Sequence, residues 1–172
     1  MSNDPNKNII ETERLTLRPI QQIDFEDVYA LDSDPEVRHF FPEGPLNAEQ
    51  VQKELERHIA EWEKVGVGIF AVIEKKTNQF IGRCGFAQLP NGVTEFGYLI
   101  KKELWGQGYA TEAAIALLEW GAKHIPADRI IGFAPLNHVA SIRILEKIGM
   151  KFWKMDIYQN IPCVFYQYEF RR

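Results

Sequence analysis

The sequence predicts an α/β (α+β) fold: a mixed, mostly antiparallel sheet of six to seven strands with helices on both faces. Three observations predict it. Apolar stretches at 68–74, 79–89 and 93–100 are separated only by the turn residues Lys75-Lys-Thr-Asn78 and Pro90-Asn-Gly92, the pattern of an antiparallel meander. The last of these strands runs through a short glycine loop into a segment with helical apolar spacing. Two more strand-like segments end the chain on either side of a turn at Gln159-Asn-Ile-Pro162.

In chain order, residues 1–10 read as a flexible start to a single domain spanning 1–172. Thr12 to Arg18 alternates Leu15 and Leu17 with polar residues, a half-buried strand stopped at Pro19. Asp24 to Leu31 reads as a short helix. Asp32 to Pro45 is a loop with three prolines and the cluster His39-Phe40-Phe41. Val51, Leu55, Ile59 and Trp62 mark one face of a second helix, and Ala110, Ala113, Ala114, Leu117, Leu118 and Gly121 mark a third. Arg129 to Ala134 is a strand, and Val139 to Ile148 a helix ended by Gly149. Lys151 to Tyr158 and Cys163 to Phe170 are the closing strands. The aromatic run Val164 to Phe170 fits an internal strand or an edge that pairs with a second copy, which leaves a homodimer open.

Composition narrows the class. A chain of 172 residues with 45% hydrophobic content can bury one substantial core. No apolar run reaches the roughly 18 residues of a membrane span, and the start lacks the apolar stretch of an export signal. The expectation is a cytoplasmic protein with no membrane partner and with Cys84 and Cys163 reduced. A net charge of −4 argues against a nucleic-acid partner and mildly favours a cationic amine. The histidines at 39, 58, 124 and 138 show no metal-ligand spacing with either cysteine, so no metal is expected.

The most informative stretch is Glu103 to Glu112, E-L-W-G-Q-G-Y-A-T-E. Glycines at 106 and 108 let the backbone approach a ligand, and the following helix start offers unpaired N–H groups and a positive dipole end. A phosphate or pyrophosphate suits such a place. The spacing is not that of a P-loop, which needs a Lys after the second glycine. Nor is it the dinucleotide fingerprint, because Thr111 stands where a third glycine belongs.

Trp105-Gly106-Gln107-Gly108-Tyr109-Ala110 resembles the acyl-CoA pyrophosphate loop of the GNAT N-acetyltransferase superfamily, with Glu103 in the place of the usual Gln or Arg. Asn137-His-Val-Ala-Ser141-Ile-Arg-Ile-Leu-Glu-Lys-Ile-Gly149 resembles a helix of the branch typified by ribosomal-protein N-terminal acetyltransferases. Glu11-Thr-Glu-Arg14-Leu-Thr-Leu-Arg-Pro19 looks like the opening strand of that branch. Either Asn137 or His138 fills the family Asn position. The resemblance implies a sheet splayed between its fourth and fifth strands, with acetyl-CoA as donor cosubstrate. It also implies a primary amine as acceptor, either a protein N-terminus or a small molecule such as a polyamine, amino sugar or amino-acid-like compound. A domain that binds acyl-CoA without turnover is the alternative. Pyrophosphate would lie on the amides of Gly106, Gln107, Gly108, Tyr109, Ala110 and Thr111, and pantetheine along Leu99, Ile100 and Lys101, with Asn137 as a further contact.

In such a transfer a neutral amine attacks a thioester carbonyl, an oxyanion forms and a thiolate leaves. At pH 7 roughly a tenth of an α-amine with pKa near 8 is neutral, against under a thousandth of a lysine. An α-amine therefore needs only a modest base. Glu95 interrupts an apolar strand leading to the glycine loop and is the candidate base; its structural alternative is a surface carboxylate paired across the strand. Ser141, at the start of the last helix, is the candidate proton donor; its alternative is bonding within the first helical turn. A backbone amide among Leu99 to Lys101 could meet the oxyanion. The family's usual helix tyrosine would fall near Ile144 or Leu145 and is absent. Asn137 could instead cap the helix, His138 could be solvated or capping, and Cys84 and Cys163 read as core residues. The Phe40-Phe41 cluster could wall the acceptor site or cap the core.

Overall fold

The computed structural model describes residues 7–171. Eight strands form one sheet in the order β1-β2-β3-β4-β5-β6-β8-β7. In chain order these are β1 (Ile10–Glu11), β2 (Leu15–Pro19), β3 (Ile69–Glu74), β4 (Gln79–Gln88), β5 (Thr94–Ile100), β6 (Arg129–Pro135), β7 (Lys151–Tyr158) and β8 (Ile161–Glu169). The helices are α1 (Phe25–Asp32), α2 (Ala48–Val65), α3 (Tyr109–His124) and α4 (Val139–Lys147). Every neighbouring pair is antiparallel except β5 and β6. The additional strand is β1, two residues that pair with Thr16 and Leu17. Of the stretch expected to be flexible, residues 1–6 lie outside the described residues, while Ile10 pairs with Leu17.

Alternation along the strands divides the core between the two faces. Phe70, Val72, Cys84, Phe86 and Phe96 pack with Ala113, Leu117 and Trp120 of α3 and Leu145 of α4. Ile69, Ala71, Phe80 and Leu99 turn to the other face and meet Val28 and Leu31 of α1 and Val51 and Leu55 of α2. Helix α2 starts at a capping box between Asn47 and Gln50 and ends at Gly66 in the left-handed region.

Several boundaries differ from the sequence expectation. Strand β2 begins at Leu15 rather than Thr12 and includes Pro19. Gln159 and Asn160 both adopt positive φ and turn the final hairpin in two residues, so β8 begins at Ile161 and contains Pro162. His138 is the N-cap of α4 and Asn137 lies exposed in the preceding turn, so Asn137 is not the cap. Strand β8 lies inside the sheet, between β6 and β7, which answers the question of its edge.

The pair β5–β6 positions the site. Its register holds one residue pair, Glu95 with Ile131, after which the strands part. The gap opens toward the end of β5 and the loop that follows it.

Candidate active site

Beyond β5 a short 3₁₀ turn, Lys102–Leu104, leads to Gly106 (φ 74°) and Gly108 (φ 81°). Gly108 is the N-cap of α3, a left-handed position that a side chain would strain. The amides of Tyr109, Ala110 and Thr111 lie in the first turn, where a helix has no acceptor of its own. They and the flanking glycine loop offer backbone N–H groups that could hold an anion, a candidate cradle at the mouth of the gap.

Arg14 braces this loop from behind. Its Nη1 donates to the Gln107 carbonyl (2.9 Å), its Nε to Glu112 Oε2 (2.6 Å), and its guanidinium lies 4.1 Å from the Tyr109 ring centre. Glu112 also accepts from the Thr12 hydroxyl and the Arg14 amide; these bonds outweigh its burial and hold its carboxyl below the usual range. The Tyr109 ring is buried and its hydroxyl donates to Glu74, so this residue can offer a ligand only its backbone. Arg14→Ala should therefore loosen the cradle. Titration calorimetry with CoA should show a dissociation constant raised roughly tenfold or more, with the thermal midpoint nearly unchanged. Unchanged CoA affinity would remove Arg14 from this role.

Strand parity decides which β5 amides can face the gap. The Lys101 amide donates to Ile81 O (2.9 Å), toward β4. By alternation the Leu99 amide points the same way, and those of Tyr98 and Ile100 point into the gap. Leu99 is buried against α1 and α2, and the Ile100 carbonyl accepts the Trp105 indole N–H (2.8 Å). Within the stretch Leu99 to Lys101, Ile100 alone directs its N–H toward the gap.

Glu95 and Ser141 lie on opposite faces of the sheet. Glu95 shares its face with Arg83 and Leu99, the side of α1 and α2. It is half-buried and makes no hydrogen bond or ion pair among the described residues, so it is not the surface carboxylate of a cross-strand pair. Burial pushes its carboxyl up to about 7, and the nearby guanidinium groups of Arg57 and Arg83 only partly offset this. Arg83 is itself tied to the buried Asp32 (2.9 Å), which also binds Arg38. Ser141, on the face of α3 and α4, sits in the first turn of α4 with its Oγ 2.8 Å from the Tyr98 hydroxyl. Ile144 and Leu145 pack into the core of that face.

The loop between α1 and α2 closes one end of the gap. The Phe40 ring stacks on His138 with centroids 3.8 Å apart, and Glu36 pairs with Lys102. Pro35, Glu36, His39, Phe40 and Trp105 line a cleft of about 450 Å³. His39 and Phe40 thus line this cleft, whereas Phe41 does not and lies exposed against the Arg38 guanidinium. Glu103 and Asn137 are both exposed, near the cradle and the α4 cap respectively. Cys84 and Cys163 are free and buried, and burial pushes both thiols up.

Four contributions were not visible in the sequence: the Arg14 brace, the Tyr98 bridge to α4, Arg83 beside Glu95, and the open floor at Gly97, where an added Cβ would meet only the Glu95 carboxylate at 3.9 Å. Arg14 lies in the opening-strand pattern and Tyr98 three residues past a singled-out carboxylate, but only tertiary structure gives them partners.

Helix-start amides opening onto a splayed strand pair, with a carboxylate of raised pKa on the far side, are suited to group transfer from an anionic donor. The chain belongs to the GNAT acetyltransferase family: an Acetyltransferase (GNAT) domain matches residues 14–151. It is 31% identical over 143 residues to an uncharacterised N-acetyltransferase of Bacillus subtilis (strain 168), YnaD, covering 83% of this chain and 82% of that one. The structure of a GNAT-family acetyltransferase from Bacillus anthracis superimposes with a TM-score of 0.80 at 28% identity, over 94% of this chain and 98% of that one. A Salmonella typhimurium acetyltransferase that modifies the N-terminal serine of ribosomal protein L7/L12 shares the fold, with a TM-score of 0.81 at 17% identity over 94% and 99% of the two chains. The protein is thus an N-acetyltransferase acting on an amine, and its family uses acetyl-CoA. Among the described residues no helix is long and apolar enough to cross a membrane, and no group of three or more His, Cys, Asp or Glu could hold a metal ion.

Proposed function

We propose that this enzyme acetylates an α-amino group, first of all a protein N-terminus, by direct attack of the amine on acetyl-CoA in a ternary complex. The observation that carries the reading is the placement of Glu95, half-buried and unpaired on the α1/α2 face, with a carboxyl raised to about 7. A base of that strength suits an α-amine near 8 and is poorly matched to a lysine near 10.4. The Salmonella enzyme that modifies an N-terminal serine has the same fold, which adds support.

The chemistry divides between the two faces. Donor pyrophosphate rests on the amides of Gly106 to Thr111, and the pantetheine arm enters the gap beside Tyr98 and Ile100. The amine arrives from the α1/α2 face, where Glu95 takes its proton. The nitrogen attacks the thioester carbon, and the oxyanion is met by an N–H of β5 that faces the gap, Tyr98 or Ile100. As the C–S bond breaks, the thiolate takes a proton from Ser141 on the opposite face. Both cysteines are buried with raised thiols, which favours direct attack over a covalent acyl-enzyme.

The test is thiol release from acetyl-CoA with peptides bearing free N-termini, amino acids, amino sugars and polyamines. Highest kcat/KM with free N-terminal peptides is the expected result. Preference for amino acids or amino sugars would move the acceptor to a small molecule. Preference for polyamines would overturn the α-amine assignment. CoA binding without turnover on any acceptor would leave only a binding domain.

A further inference from the structure

We propose that Tyr98 is a positioning residue that resupplies Ser141 with the proton given to the departing CoA thiolate, the two hydroxyls forming a relay across the β5–α4 gap. The inference rests on the reading of Ser141 as proton donor and adds the group behind it.

Tyr98 lies three residues beyond Glu95, the last point at which β5 pairs with β6. Its side chain turns to the α3/α4 face and its hydroxyl crosses to the first turn of α4. There it meets two oxygens of one residue, Ser141 Oγ at 2.8 Å and the Ser141 carbonyl at 3.1 Å. A tyrosine has a single O–H, so two arrangements exist. In one, Tyr98 donates to the carbonyl and Ser141 donates to Tyr98. In the other, Tyr98 donates to Ser141 Oγ, which frees the Ser141 hydrogen to point at a ligand. Changing between them turns two hydroxyl hydrogens and moves no heavy atom. The phenol is held in place in both arrangements because each offers it an acceptor.

The second arrangement is competent for proton delivery. An aliphatic hydroxyl alone is a poor acid, whereas a phenol titrates near 10 and a thiol near 8.5. When the C–S bond breaks, the electron pair stays on sulfur and the Ser141 hydrogen passes to it. The Tyr98 hydrogen moves to Ser141 Oγ in the same event, leaving a transient tyrosinate that water in the gap reprotonates. One proton enters from solvent and one leaves on the thiol. Burial raises the phenol above its ordinary range, so it stays protonated between turnovers and gives up its proton only in concert with the transfer from Ser141 to sulfur.

Single-turnover kinetics of Tyr98→Phe, Ser141→Ala and the double variant test the relay. Tyr98→Phe keeps the ring and its packing. The expected result is a rate constant lowered roughly ten- to a hundredfold, with CoA affinity and thermal midpoint unchanged. The double variant should be no slower than Ser141→Ala, because residues acting in series are not additive. In H₂O–D₂O mixtures the wild type should give a bowed proton inventory and Tyr98→Phe a linear one. Difluorotyrosine at position 98, a more acidic phenol of nearly the same shape, should restore the bow. A wild-type rate in Tyr98→Phe with a slowed Ser141→Ala would overturn the relay and leave the Ser141 assignment standing. A wild-type rate in Ser141→Ala would overturn both. Weakened CoA binding with the bow retained would make Tyr98 a structural prop only.

Discussion

Replacing Glu95 with Gln should lower kcat/KM by about a hundred- to a thousandfold, and the pH profile should change shape. If Glu95 is the base, the wild-type ascending limb should contain its ionisation at about 7, because the carboxylate form would take the proton. In Glu95→Gln only the ionisation of the amine remains. The same substitution should stabilise the fold. Between pH 4.5 and about 7 the native state keeps a proton that the unfolded chain has released, so wild-type stability falls as pH rises through that window. Gln carries no charge to bury. The variant should match the wild type near pH 4 and exceed it at pH 8, by up to about 3 kcal/mol or roughly 5 °C or more in thermal midpoint. Activity lost together with stability would mean that Glu95 supports the fold; activity retained would mean that another group is the base.

What the sequence made legible follows from how local each signal is. The glycine loop and α3 could be read directly, because a left-handed N-cap and a helical apolar stripe are properties of consecutive residues. Glu95 was visible as a carboxylate in an apolar strand. The direction of its pKa shift depends on burial outweighing Arg57 and Arg83, which only packing decides. Tyr98 reads in sequence as one more strand aromatic, since Ser141 lies 43 residues away. Which of Leu99, Ile100 and Lys101 faces the gap is a question of parity, fixed by the Lys101 bond to Ile81 and invisible without the register. Strand β1 escaped detection because two residues carry no periodicity. The final turn was placed too long because Asn160 and Gln159 take positive φ, so two residues suffice. In each case the missing information was a partner distant in sequence or a dihedral angle.

Gly97→Val should give a protein at least as stable as the wild type and about a hundredfold less active. Gly97 lies between Glu95 and Leu99 on the α1/α2 face, opposite Gly85 on β4. A Cβ built there meets a single neighbour, the Glu95 carboxylate at 3.9 Å, so the fold does not need a glycine at this place. Its φ is not in the left-handed region either. A β-branched residue should raise stability by up to about 1 kcal/mol, through strand preference and a less flexible unfolded chain. The open floor is explained if the acceptor amine crosses it to reach both Glu95 and the thioester. A valine would then displace the nucleophile by an ångström or more, enough to cost on the order of a hundredfold in rate, while CoA, proposed to bind at the loop from Gly106 to Thr111, should bind as before. The decisive comparison is therefore CoA affinity against kcat in the same variant. Intact CoA binding with lost turnover places the acceptor over Gly97. Full activity would put the amine elsewhere on this face, and Glu95 would then have to act through an intervening water.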